Sequence, residues 1–600
     1  MKLFPVFEKT DSLLVLFGLS FVVFGWLALS LALGSLFLFP LIAIAMAASF
    51  SISVLLAWKL LSRSSLDTRI VFAVSLLVAL LISFFITPSV FSGRDQGSIA
   101  EAAYRLAENG ELAFSTLASQ SFFEIYGPGT ALNFPGFAYT KEGYLITQFP
   151  LAYTAWLGSF LSVFGILGYV IANSLLLFLF LFFFYTLLRQ YTDWRLSSMG
   201  FTLALFSFLP IWFTKFTLTE NLAVFLFVFL ALSLSIFLRE GKFLHYSAII
   251  FSGALLAFTR IEGFVLFLVA FGILLFSKKT WSLFKTYPLK SLLLPGLVLL
   301  FVFLRDFFLN LPYYKMIGKA AFKFVHGFGS DVVSQTSGVG FFGSHISLGS
   351  IFLLYGLLPL FILGLFGILL CLKEKRFFLL LPVLLALPTL IYLFSPNITL
   401  DHPWMLRRYY FSIFPALLFS AIICLGFLTD TTKEFPLKAP NGKRFLLALV
   451  LWLGVLFFQL PAFTSGILYS ENKTLLKQTE NFTNAFQDTD LVLVDRFATG
   501  NGFAMLTGPG NFLFHKNTVY FFNPEDLAKI DQSRFSGIYL LVPEENIDRY
   551  SKVFGDRMIF RQNVVFSTNQ YENLSLGNNT PFRLPEKQIL ETRNILFQLY

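Results

Sequence analysis

"FPLAYTAWLGSFLSVFG", residues 149–165, decides how the rest of this chain is read. The segment is apolar but short, and its Pro150, Tyr153 and Trp156 suit a membrane surface. If it crosses a bilayer, Arg189, Arg195, Arg239, Lys242, Lys278, Lys279 and Lys285 all face outward. If it lies as a short interfacial helix, all of them return to the cytoplasmic side, where the Lys and Arg of short loops belong. One change repairs every later loop, so the interfacial reading is adopted.

The surrounding chain demands a membrane. Of 600 residues, 56% are hydrophobic and only 13% charged, with 80 Phe; soluble domains carry about 25% charge. The apolar runs are too long and too many for a signal peptide. The expected fold class is an all-α polytopic membrane protein with a small C-terminal α/β domain. Spans are expected near 11–33, 36–60, 69–90, 167–188, 197–215, 219–238, 244–259, 262–277, 290–309, 349–371, 377–395, 409–428 and 445–465, about thirteen. Lys59, Arg63 and Arg69, "LKEKR" (372–376) and "KAPNGKR" (438–444) fall on the cytoplasmic side, as does the N-terminus. Residues 1–465 then form the membrane domain, with outer loops at 91–149 and 310–348, and 466–600 an extracytoplasmic domain. In that tail, "DLVLVD" (490–495), "TVYFF" (518–522) and "GIYLLV" (537–542) are strand-like, and "NPEDLAKI" (523–530) has an Asn-Pro helix start.

Charge and motifs remove several function classes. The chain is +10 overall, yet residues 466–600 hold 13 Lys/Arg against 15 Asp/Glu. The basic excess therefore sits in membrane loops and reports topology, so no nucleic-acid partner is expected. Cys371 and Cys424 lie inside expected spans, which argues against disulfides, and Cys/His metal spacing is absent. No His-Glu-x-x-His or Gly-x-Ser-x-Gly occurs, so protease and esterase readings lack support.

Under this topology polar groups collect on the outer face. Asp95 lies in "FSGRDQGSIAEAAYRLAENGEL" (91–112), Glu220 in "FTLTENLAVF" (216–225), and Arg260 with Glu262 in "FTRIEG" (258–263). Ionisable groups at membrane depth are costly and face a cavity or a partner. Residues 97–109 should form an amphipathic helix, with Ile99, Ala102, Ala103 and Leu106 on its apolar face and Glu101, Arg105 and Glu108 facing water or headgroups. Asp95 or Ser98 could cap its start and Gly110 end it. Outer cations run against the positive-inside rule and call for another reason. Lys315, Lys319, Lys323 and His326, with His402, Arg407 and Arg408, suit a lipid phosphate at the outer surface.

Each group also has a plainer reading. Asp95 caps a helix, Glu220 complements a helix dipole, Arg260 and Glu262 pair at a turn, and Arg407 and Arg408 anchor a span in headgroups. The lysines at spacing four mark one face of a surface helix, and the glycines of 326–345 make a mobile loop.

The ordered set resembles GT-C membrane glycosyltransferases, closest to the protein O-mannosyltransferase and aminoarabinose-transferase branch. Asp95, Tyr104, Ala107 and Gly110 are similar to that family's first outer loop. "LTENLAVFLFVFLAL" (218–232), "GALLAFTRIEGFVLF" (253–267) and "RRYYFSIFPALL" (407–418) resemble its later motifs, in order, across roughly residues 70–465. Many relatives carry Asp-Glu at the first motif where this chain has Asp95-Gln96, which puts a two-carboxylate metal site in doubt.

The resemblance implies a transferase using a polyprenyl-phosphate sugar donor and a lipid, protein or polysaccharide acceptor, acting by a single inverting displacement. Asp95 would be the general base and Glu220 would orient acceptor, base or ion. Arg260, Arg407, Arg408, Lys315 and Lys319 would bind the donor phosphate, and Tyr104, Glu262, His402 and Tyr409 would position substrate. No cofactor is certain. A divalent cation, magnesium or manganese, is a candidate, held by Asp95 and Glu220. The alternatives are a transporter or lipid flippase, for which paired repeats are missing, and a non-catalytic assembly protein, which would tolerate loss of both acids.

Overall fold

The computed structural model describes residues 8–315, 317–319, 345–394, 398–399, 401–429, 442–575 and 582–600. Lys323, His326 and most of the glycine-rich stretch 326–345 lie outside these residues. Among the described residues seven helices are long and apolar enough to cross a membrane, and three bent helix pairs raise the number to ten. The protein is read as an integral membrane protein on this basis.

The other three expected spans are apolar but short or broken. Phe243–Thr259 has only 17 residues. The 197–215 segment divides into Trp194–Leu205 and Phe208–Phe213. Pro210 has no N–H for the Phe206 carbonyl, so a continuous helix would lose that bond and clash there. Pro382 and Pro388 likewise divide 377–393 into a short α-helix between two 3-10 turns.

Burial sorts the helices into layers. The best window of Thr219–Glu240 is 94% buried, so this helix is the axis of the bundle, with Leu167–Tyr191 beside it. Phe39–Arg63, Leu66–Ser83, Leu289–Leu309 and Gly442–Ile467 have 22% or less of theirs covered and keep apolar side chains outward. Such faces are what a lipid environment requires. Lys215 fastens one peripheral helix to the axis: its Nζ donates to the carbonyls of Gly466, Ile467 and Tyr469 at 2.6, 2.8 and 2.7 Å. A cation belongs at a helix C-terminus, where unpaired carbonyls gather.

The deciding segment forms the helix Leu151–Phe164. At 1.5 Å per residue its 14 residues span about 21 Å, short of a ~30 Å hydrocarbon core. It does not lie on a surface, however: Leu151 to Leu161 are buried on every side. The interfacial placement is thus corrected to an internal one. Its polar end is satisfied by protein, Tyr153 donating to Asn173 Oδ1 at 2.7 Å. The basic loops do share one end of the bundle. Arg189 pairs with Asp67 at 3.1 Å, Arg239 with Asp11 at 3.7 Å, and Lys279 donates to the Arg239 carbonyl.

The segment 91–149 holds a small sheet that its composition did not announce. Strands β1 (Gly129–Thr130), β2 (Phe137–Tyr139) and β3 (Leu145–Thr147) pair antiparallel. A short strand β4 (Asp401–His402) precedes the last bent pair. The tail adds β5 (Leu491–Val494), β6 (Asn517–Tyr520), β7 (Ile538–Pro543), β8 (Met558–Tyr571), β9 (Leu574–Ser575) and β10 (Lys587–Leu599). The main sheet runs β6-β5-β7-β10-β8, with β5 parallel to β6 and β7, and β10 antiparallel to its neighbours. The expected strands are its parallel half, while the long β8/β10 hairpin escaped the reading. The first half of β8 is largely exposed, and that of β10 alternates exposed and partly buried positions, over polar sequence. The tail docks on the membrane body through β4–β9 pairing, a Ser92–Met505 bridge and Asn133 Nδ2 donating to the Tyr520 carbonyl at 2.6 Å.

Candidate active site

Three helices begin at one place, and each carries an acid in its first turn. Asp95 opens Asp95–Asn109, Glu220 lies in the first turn of Thr219–Glu240, and Glu262 in that of Ile261–Leu275. The helix dipole favours negative charge at all three positions. Arg260 occupies the extended residue before the third helix, with φ −148° and ψ 148°. Arg407 and Arg408 come from the short helix Arg407–Tyr410.

Together they form a row of alternating charge. Arg407 Nη1 lies 2.6 Å from Asp95 Oδ2 and 4.0 Å from Glu220 Oε1. Arg260 Nη1 approaches the same Glu220 oxygen at 2.6 Å and its Nη2 approaches Glu262 Oε1 at 2.9 Å. Arg408 Nη1 closes the row 3.3 Å from Glu262 Oε1. Buried charges are tolerable only in such paired company. The middle of the row is buried and its ends are more open: side-chain exposure is 1% for Glu220, 7% for Arg260 and 8% for Arg407, but 20% for Arg408 and 37% for Asp95. Burial pushes the Asp95 carboxyl up, and Arg407, backed by Arg408 and Arg260, more than reverses this. Its pKa lies below the ordinary aspartate value, so it is ionised at neutral pH.

Local sequence fixes Asp95 in this position. The chain doubles back after Phe91, and a Cβ on Gly97 would overlap the Phe91 carbonyl. Thr217 Oγ1 donates to the Gln96 carbonyl at 2.7 Å, tying the start of the Asp95 helix to the Glu220 turn. That turn is held in turn by Asn221 Nδ2, which donates to the carbonyls of Phe213 and Phe216. Asp95 is not a helix cap: Arg94 holds the cap position, with no side-chain cap bond. Gly110 does end the helix, in the left-handed region at φ +75°. Ile99, Ala102, Ala103 and Leu106 are buried as expected, but so is Glu101, 1% exposed, which corrects its solvent-facing assignment. The docked tail covers it.

The other candidates divide. Tyr104 is half-buried nine residues along the helix, about 13 Å from Asp95 at helical rise, outside the row. Tyr409 acts one step back: its hydroxyl donates to the Tyr392 carbonyl at 3.0 Å, and Tyr392 donates to Glu262 Oε1 at 2.6 Å. His402 faces Tyr355, Nδ1 to hydroxyl 3.1 Å, and lines a neighbouring cleft instead. Lys315 and Lys319 are exposed and line another cleft with Lys141, Phe308 and Leu311.

Some neighbours of the row were missed. Thr219 accepts from Arg260 Nη1 at 3.0 Å, and Trp404 stacks under Arg407 at 4.5 Å. Thr219 stands beside Glu220 and could have been noticed. Tyr392, inside an expected span, carried no signal.

The residues present do not fit the candidate divalent ion. Asp95 and Glu220 share the Arg407 guanidinium, and an ion between them would meet that cation. Among the described residues no three His, Cys, Asp or Glu side chains gather around a common point.

No protein-family model and no curated protein matches the chain. Solved structures do. The Archaeoglobus fulgidus oligosaccharyltransferase tethered with an acceptor peptide aligns at TM-score 0.50 and 12% identity, over 80% of this chain and 69% of its own. ArnT from Cupriavidus metallidurans bound to undecaprenyl phosphate aligns at TM-score 0.49 and 12% identity, over 89% and 98%. The likeness is one of fold: this chain shares the fold of the Archaeoglobus fulgidus oligosaccharyltransferase.

Proposed function

We propose that the protein transfers a sugar from a polyprenyl-phosphate donor to an acceptor hydroxyl on the extracytoplasmic face. The observation that carries this reading is the row of charges whose most exposed member is an ionised aspartate. Asp95 takes the acceptor proton as the hydroxyl oxygen attacks the anomeric carbon. The bond from that carbon to the phosphate oxygen breaks on the opposite side, and the lipid phosphate leaves with the electron pair. A single displacement inverts the anomeric centre. The leaving charge needs fixed cations, and Arg407, beside the base, is the one we assign to it. Glu220 and Glu262 hold Arg260 and Arg408 in place. The apolar cleft with Lys315 and Lys319 suits the approach of a lipid phosphate. The gathering of Arg189, Arg239 and Lys279 at one end supports a cytoplasmic assignment for that end.

The test is Asp95→Asn, assayed for sugar transfer in detergent. We expect turnover to fall by about 10²–10⁴, with the folded protein still recovered in detergent at a lowered melting temperature, because Arg407 loses its partner. Undiminished transfer would remove Asp95 as base. Absence of transfer by the wild type in detergent, with lipid translocation intact in vesicles, would favour the transporter reading.

A further inference from the structure

The three residues before Asp95 all meet the tail domain. The Met505 N–H donates to the Ser92 carbonyl at 2.9 Å, in an antiparallel bridge. Gly93 passes so close to the tail that a Cβ there would lie 2.6 Å from the Gly502 carbonyl oxygen. Arg94 then stacks on the tail, its guanidinium 3.8 Å from the Phe503 ring centre. The same guanidinium lies 4.5 Å from the Trp404 ring and donates through Nη2 to Asp401 Oδ2. Trp404 in turn lies 4.5 Å from the guanidinium of Arg407, the partner of Asp95.

Arg94 is held from two sides, and both supports are themselves braced. A planar guanidinium can stack on a ring and bond a carboxylate at the same time, which a lysine cannot. On one side, buried Asp401 accepts from Thr399 Oγ1 at 2.6 Å and sits in β4, paired with Ser575 of β9. On the other, the tail loop is knitted internally. The Phe503 N–H donates to Asn501 Oδ1 at 2.8 Å, Thr499 Oγ1 to the Ala504 carbonyl at 2.9 Å, and Arg496 Nε to the Gly502 carbonyl at 3.3 Å. Adjacent Cα atoms are fixed about 3.8 Å apart, so a displaced Arg94 displaces Asp95 with it. The pair that sets the charge of Asp95 depends on a 2.6 Å contact with Arg407 and weakens with any such movement.

We propose that Arg94 is a positioning residue for the base, and that the tail domain completes the active site by holding Arg94 through Phe503. This rests on the transferase reading for the role of Asp95, and it gives the tail a part in the reaction. The bundle holds the residue after the base, through Thr217 and the Gln96 carbonyl. The tail holds the residues before it. Asp95 meets Arg407 at its observed distance when both grips are in place.

A thiol at the position of the base tests this without a substrate. In the full chain in detergent, Asp95→Cys is alkylated with iodoacetamide across a range of pH, and the midpoint reports the cation beside the thiol. Cys371 and Cys424 are buried, and the wild type supplies the background. Adding Arg407→Gln should raise the midpoint by about one pH unit, which sets the scale. Adding Phe503→Ala should raise it by about half as much. Arg94→Lys should do the same, because it keeps a charge for Asp401 and loses the flat face. The two together should shift it no further than either alone, since they remove one contact. Phe503→Tyr keeps the ring and should leave the midpoint unmoved. If Phe503→Ala unfolds the protein, Arg94→Lys against Phe503→Tyr carries the comparison. A lowered melting temperature with an unmoved midpoint would reduce Arg94 to a docking contact and overturn the inference, as would additive shifts. A shifted midpoint with undiminished transfer by Asp95→Asn would overturn the transferase role of Asp95 and leave the grip standing. Lost transfer in Asp95→Asn with an unmoved midpoint would do the reverse.

Discussion

Asp95 has its charge set by Arg407, and this gives a sign to pH experiments. Its carboxyl in the folded protein lies below the ordinary aspartate value of about 3.9. The stabilisation from the ion pair is therefore complete above that ordinary value and is lost as pH falls through the lowered one. On the proposed mechanism, transfer should be flat from about pH 5 to 7, because the base stays ionised throughout. Arg407→Gln removes the main opposing influence and leaves burial to dominate. We expect the acid limb of its pH–rate profile to move upward towards neutrality, measured alongside the fall in turnover that loss of a phosphate ligand would bring. An unmoved acid limb would show that Arg407 does not set the charge of the base.

The Asp95–Asn109 helix shows what an element can conceal. Glu101 is packed under the tail, where burial raises its carboxyl well above the ordinary glutamate value and a Ser92 hydrogen bond only partly offsets this. Because the folded pKa is raised, stability is fully present below the unfolded value of about 4.3 and declines as pH rises through the folded one. Glu101→Gln removes that decline. We expect its melting temperature to exceed the wild type's at pH 8, by about 2–4 °C per kcal/mol relieved, and to converge with it near pH 5. A lower melting temperature at pH 8 would mean that the carboxylate is ionised and paired. Helical periodicity made this element legible, including its end at Gly110, because apolar spacing and a left-handed glycine are local signals. The burial of Glu101 was not, because the covering residues, around Gly508, lie some 400 positions later. The same distinction holds for the row. Asp95, Glu220, Arg260 and Glu262 could be nominated from topology, since helix starts on one face converge. Tyr392 comes from a segment whose pairing with Glu262 depends on tertiary packing.

At the scale of the whole molecule, the bundle and the tail behave as one body. Ser92, Asn133 and β4 all bond across the junction. Heating should therefore give one unfolding transition, with tail-domain and membrane-domain fluorescence reporters melting together, whereas two separated transitions would show an independent tail. The β4–β9 pair has a mechanical consequence. Strand β4 ends five residues before Arg407, a reach of at most about 17 Å when fully extended. It works as a short tether between the tail sheet and the arginine that grips the base. A shift of the tail at β9 would therefore bear on the segment that carries Arg407, and through it on the charge of the base.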